Sequence, residues 1–201
     1  MANINAPSGL TPVRYKNGSP WNGQATMYCI PASDANAYAI GDPLTLAGSA
    51  DANGVATVVL ATAGTGNVIL GVLVGGVGTK YGGAAGVSPS NLDTSVIPAT
   101  KTRAHYVLVA DDPMIVFEGQ EDSVGANLAA TDVGTNVNLV AGTNNGFVSG
   151  WQIDSSPTAT TATLQCRLLG LAQRQDNAIG TNAKWYVLIN NHCFRAGVAG
   201  V

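Results

Sequence analysis

Along most of the chain, apolar, β-branched and aromatic residues gather in short runs separated by turn residues. These runs predict strands at 26–30, 37–40, 43–46, 56–60, 68–74, 104–110, 114–120, 137–140, 147–153, 162–171 and 185–190. Between them lie Gly41-Asp42-Pro43, Asp51-Ala52-Asn53-Gly54, Asp111-Asp112-Pro113 and Asn144-Asn145-Gly146, all turn sequences. Alternation of faces shows in Tyr106, Leu108 and Ala110, and again in Leu164, Cys166 and Leu168. Many short strands without repeated helical segments predict an all-β protein, an antiparallel β-sandwich or jelly roll.

Helical signal is confined to residues 123–132, where Ala126, Leu128, Ala129 and Ala130 allow at most one short helix and Gly125 weakens it. The Gly-rich stretch 75–98 is too long for a hairpin turn and reads as a surface loop. Residues 1–25 are broken every few positions by Pro7, Gly9, Pro12, Gly18, Pro20 and Gly23, leaving little room for a regular element. They predict an extended N-terminal arm, with a disordered terminus as the alternative. Within the arm, Val13, Tyr15 and Trp21 supply apolar anchors for a partner surface. The division expected is an arm over 1–25, a β domain over 26–194 and a flexible tail over 195–201.

Charge changes this picture by subtraction. Only 10% of the 201 residues are charged, against about 25% in an average soluble protein. The net charge is −3, and the nine Lys and Arg form no cluster, so no nucleic-acid partner is expected. Residues 52–79 carry no charge, but Ala63-Gly64-Thr65-Gly66-Asn67 divides them below the span of about 20 apolar residues a membrane helix needs. Met1 to Pro12 has neither a basic nor an apolar block, so no secretory signal is expected. Cys29, Cys166 and Cys193, odd in number and far apart, are expected as free thiols.

Candidate chemistry is thin. Gly76-Val77-Gly78-Thr79-Lys80 lacks the Gly-Lys-Ser/Thr order of a phosphate loop, and Tyr81 occupies the next glycine position of a dinucleotide fingerprint. His105 and His192 are the only histidines; His192-Cys193 offers two metal ligands where zinc needs three or four. Asp111-Asp112 and Glu121-Asp122, with Glu118 between, could run glycoside hydrolysis, but both pairs also read as turn and capping sequences. Trp21, Trp151 and Trp185 could line a carbohydrate platform, although core and interface anchoring is their commoner use. No enzyme, cofactor or metal site is expected.

The runs 5–14 (Asn5-Ala6-Pro7-Ser8-Gly9-Leu10-Thr11-Pro12-Val13-Arg14) and 18–24 (Gly18-Ser19-Pro20-Trp21-Asn22-Gly23-Gln24) resemble the opening of a group of tailed-phage structural proteins. So do Ile69-Leu70-Gly71-Val72, Tyr106 to Pro113, Leu128 to Gly134 and Leu169-Gly170-Leu171. That group is similar to the capsid cement (decoration) proteins of short-tailed phages. The resemblance implies a jelly-roll domain that dimerises and sits on the outer surface of the virion, bridging major capsid protein subunits. Two rivals stand beside it: a tail- or fibre-associated β protein binding host glycan, and a virion glycosidase using Glu118 or Glu121.

Overall fold

A computed structural model describes residues 3–76, 96–156, 158–197 and 199–200. The strands are β1 (Thr11–Tyr15), β2 (Thr26–Ile30), β3 (Tyr38–Ala39), β4 (Pro43–Ala50), β5 (Ala56–Leu60), β6 (Gly71–Gly75) and β7 (Val96–Ile97). They continue as β8 (His105–Ala110), β9 (Ile115–Gln120), β10 (Asn136–Val137), β11 (Leu139–Val140), β12 (Gln152–Ile153), β13 (Cys166–Leu171) and β14 (Lys184–Ile189). The chain is all-β, as its pattern predicts.

Strands β2, β5, β4, β6 and β8 close into a barrel, sealed where β2 meets β5 in parallel at Cys29 and Thr57. Its interior is filled by Tyr28, Ile30, Tyr38, Leu44, Val58, Leu70, Leu73, Val107 and Val109. The second layer is an antiparallel sheet in the order β1-β9-β14-β13-β10. Its inner side chains, among them Phe117, Leu168, Trp185 and Val187, pack with Val72 and Ala110, paired residues of the barrel's β6 and β8. Burying large apolar side chains on both sides of this layer is the main source of its cohesion, at about 1.5–3 kcal/mol each.

The arm is extended but not separate. Residues 11–15 form β1, hydrogen-bonded along β9 from Thr11–Glu118 to Tyr15–Ile115. This corrects the expectation that the breakers leave little room for a regular element there. An edge strand needs only one side of its backbone for pairing, so Pro12 is tolerated, and a bulge between Pro12 and Arg14 absorbs the misfit. Just before β1 the arm crosses the barrel where Gly9 (φ +68°) and Gly41 (φ +96°) meet. A Cβ on Gly9 would strike the Gly41 carbonyl, and one on Gly41 the Ser8 carbonyl. Leu10 then enters the main core, 1% exposed.

The expected tail also packs: Gly200 donates its N–H to the Thr160 carbonyl, and the Ala199 carbonyl accepts from Arg167. The candidate helix reduces to one 3-10 turn, Ala130–Asp132. Ser123 and Gly125 both have positive φ, and the amides of Val124 and Leu128 bond to the carboxylates of Asp122 and Glu121 instead of helical carbonyls. Of the Gly-rich stretch, residues 77–95 lie outside the described residues.

All three cysteines are unbridged. Burial pushes the Cys166 thiol up to about 12; burial and the Asp51 carboxylate raise Cys29. A thiol reagent added to native protein should therefore label half-exposed Cys193 first and reach Cys29 and Cys166 only on unfolding. Labelling followed by peptide mass mapping checks this, and equal rates at all three sites would contradict it.

Candidate functional site

The acidic residues that suggested hydrolysis are spread among structural tasks. Cross-strand pairing puts Glu118 opposite Thr11 and Tyr186 on the outer face of the sheet. There it accepts from Arg174 at 2.9 Å and faces Lys184 at 4.0 Å. Glu121 points the other way and is fully buried, accepting from the Leu128 amide at 2.9 Å and the Trp185 indole at 3.3 Å. Burial raises its carboxyl above the ordinary value, with those donors opposing the shift. The two carboxylates thus face opposite sides of one sheet and do not form a pair across a cleft.

Asp111 accepts from the Thr26 hydroxyl at 2.9 Å and the Tyr28 phenol at 2.7 Å, tying the start of β2 to the end of β8. Asp112 bonds the Met114 amide at 2.7 Å, the turn role its sequence predicts. Asp51 likewise accepts from the amides of Asn53 and Val55 in the β4–β5 hairpin, and from the Tyr106 phenol. Among the described residues, no group of three or more His, Cys, Asp or Glu gathers to hold a metal.

Trp151 and Trp185 are core residues, so the three tryptophans form no common exposed platform. His105 begins β8, and His192 is buried after β14. No helix among the described residues is long and apolar enough to cross a membrane.

The anchors expected in the arm do come together. Trp21 donates its amide to the Val13 carbonyl at 3.1 Å. The Trp21 indole bonds the Gln24 carbonyl at 3.1 Å, and the Tyr15 phenol bonds the Gln24 side chain at 3.2 Å. Tyr15 and Trp21 also pack against the main core, which leaves them, with Val13, half-exposed on the chain's own surface. Their backbone contacts close the edge of β1, because Tyr15 also bonds Ser19 and Arg14 bridges Pro20. At the opposite edge, Asn136 and Ala159 exchange both of their backbone bonds. The outer edges of the large sheet are therefore occupied by the protein's own chain, and strand addition by a partner is blocked there.

What remains open is faces and loop tips. On the barrel, Met27, Leu108 and Gly75 are cross-strand neighbours, and both large side chains are exposed. Beside them lies a shallow cavity of about 90 Å³, also lined by Tyr106 and Gly76. At one end of the sheet, Ile4 and Ile179 project from segments stitched together by Asn3, whose amide bonds the carbonyls of Ala178 and Thr181. A cavity of about 150 Å³ opens there between Ile4, Asp176, Asn182 and Lys184.

A second built feature escaped sequence reading. The Lys101 side chain is wholly buried and its ammonium is caged by the carbonyls of Asp34 (2.7 Å), Asn36 (2.6 Å) and Ala99 (3.4 Å). The Asp34 carboxylate lies at 3.3 Å and the Tyr38 ring at 5.1 Å. Asp34 also accepts from the Tyr38 phenol at 2.8 Å, and that phenol accepts the Leu60 amide at 3.2 Å. Nothing in the spacing of Asp34 and Lys101, 67 positions apart, signals the contact.

No family model, curated protein or solved structure matches this chain.

Proposed function

We propose that this protein is a structural component of a phage virion that decorates the outside of the capsid, as a homodimer, and stabilises it by bridging major capsid protein subunits. The reading begins from the resemblance of its turn and strand motifs to capsid cement proteins. The observation that carries it furthest is how the surface is divided. The outer edges of the large sheet are closed by the protein's own segments, while exposed apolar side chains stand on one barrel row and at loop tips. A body of this kind suits binding through faces and tips, with modest contacts repeated over a lattice. The carboxylates that favoured a hydrolase are bound into the fold, and the tryptophans that favoured a glycan platform are divided between core and arm.

Purified protein mixed with empty shells of the major capsid protein should co-sediment with them and raise the temperature at which they rupture. Light scattering of the free protein should give twice the 20.3 kDa chain mass. Protein that stays in the supernatant at every ratio, or binds a glycan array instead, removes this reading.

A further inference from the structure

The segment that follows β14 joins the two layers. Ile69, which leads into barrel strand β6, donates its amide to the Asn191 carbonyl at 2.9 Å and accepts from the Cys193 amide at 3.0 Å. His192 sits between these two bonds, 3% exposed. Its Nδ1 accepts the Phe194 amide at 3.0 Å, and its carbonyl accepts the Arg195 amide at 3.0 Å. The resulting tight turn holds the Phe194 ring 5.7 Å from the imidazole, at an interplanar angle of 49°, with Phe194 itself 59% exposed. Arg195 reaches back to the Ile189 carbonyl at 3.0 Å and to the Met114 sulfur at 3.6 Å.

We propose that His192 is a pH-sensitive latch: its neutral imidazole closes the 192–195 turn, and protonation opens it, freeing Phe194 and Arg195 from their set positions. An imidazole nitrogen that accepts a hydrogen bond carries no proton, so the neutral ring must be the Nε2–H tautomer. Protonation puts a hydrogen on Nδ1, directly against the Phe194 N–H, and that bond is lost. The second nitrogen, Nε2, is buried, and the Asp111 backbone beside the ring favours the protonated form without restoring the lost Phe194 bond.

The charged groups bearing on the ring are the Arg195 guanidinium, which opposes protonation, and the carboxylates of Asp111 and Asp112, which favour it together with the Asp111 backbone. Burial comes first among the influences and acts with Arg195, so the ring titrates below its ordinary 6.5. The unfolded chain therefore takes up the proton first. The latch contributes its full stability above pH 6.5 and loses it as pH falls from there through the folded-state value.

The test is an NMR titration of the full chain from pH 8 to pH 4.5. At pH 8 the ring nitrogens should report the Nε2–H tautomer. On acidification the His192 ring and the Phe194 amide should titrate together, with a midpoint below 6.5. Exchange protection at Phe194 and Arg195 should fall at least tenfold, once corrected for intrinsic rates. His192→Asn supplies an amide oxygen in place of Nδ1 but cannot take up a proton there, so it should keep the turn closed across the range. The Nδ1–H tautomer at pH 8, a ring that titrates without moving the Phe194 amide, or an acid response retained in His192→Asn would each overturn the proposal. The tautomer measurement needs no variant and decides the matter if His192→Asn does not fold.

Discussion

Deleting residues 1–25 should unfold this protein. An arm that only served a partner would leave a stable β domain behind, with weaker binding as its single defect. The structure gives the arm a different weight. It carries Leu10 into the main core, supplies β1 to the edge of the sheet, and packs Tyr15 and Trp21 against the same core. Removing Leu10's side chain alone, by Leu10→Ala, should cost about 3 kcal/mol, because it leaves a cavity in the main core beside Gly119. Losing the whole segment adds the exposed edge of β9 and the uncovered faces of its neighbours, against a total stability of about 5–15 kcal/mol for a domain of ordinary size. Circular dichroism and sedimentation velocity of the truncated chain check this. A truncated protein that stays unaggregated and melts cooperatively near the full-length temperature would show that the arm is dispensable to the fold.

Replacing Lys101 should have the largest effect of any single charged residue. Lys101→Ala strips an ammonium from a cage of three carbonyls and one carboxylate, and leaves the Asp34 carboxylate without its cation. Removing one member of a buried pair costs about 3–5 kcal/mol, and the value here should fall near 3 because the Asn36 side of the cage reaches solvent. Lys101→Met keeps the stem and should recover only the packing part of that loss. Chemical denaturation reads both variants; a midpoint shift equivalent to less than about 0.5 kcal/mol for Lys101→Ala would show that the cage is ornamental to stability.

The same cage sets a pH dependence. Burial alone would raise the Asp34 carboxyl, but the Asn36 amide, the Tyr38 phenol and the Lys101 ammonium outweigh it and hold the group below its usual 3.8. Its stabilisation is present above that value and lost as pH falls through the lower, folded one. Lys101→Met should flatten that part of the acid limb.

The sequence by itself determined the class of the fold and most of its strands. Strand formation here is local: β-branched and aromatic runs bounded by Asp, Asn, Gly and Pro leave few other conformations, and so 26–30 and 56–60 are strands at the positions predicted. It also determined that Asp112 would serve a turn, since an Asp side chain reaches the amide two residues on whatever lies beyond. What the tertiary structure decided is everything set by partners distant along the chain. Pro12 reads as a breaker until β9 supplies an edge that tolerates it. Ala126 to Ala130 reads as helical until buried Glu121 claims the Leu128 amide. Glu118 and Glu121 both read as candidates for a hydrolytic site until the pleat turns them to opposite faces. Asp34 and Lys101 read as unrelated until the β2–β8 and β3–β7 pairings bring their loops together. In each case the local preference is worth about 1 kcal/mol or less, and a buried contact that the sequence does not encode locally outweighs it.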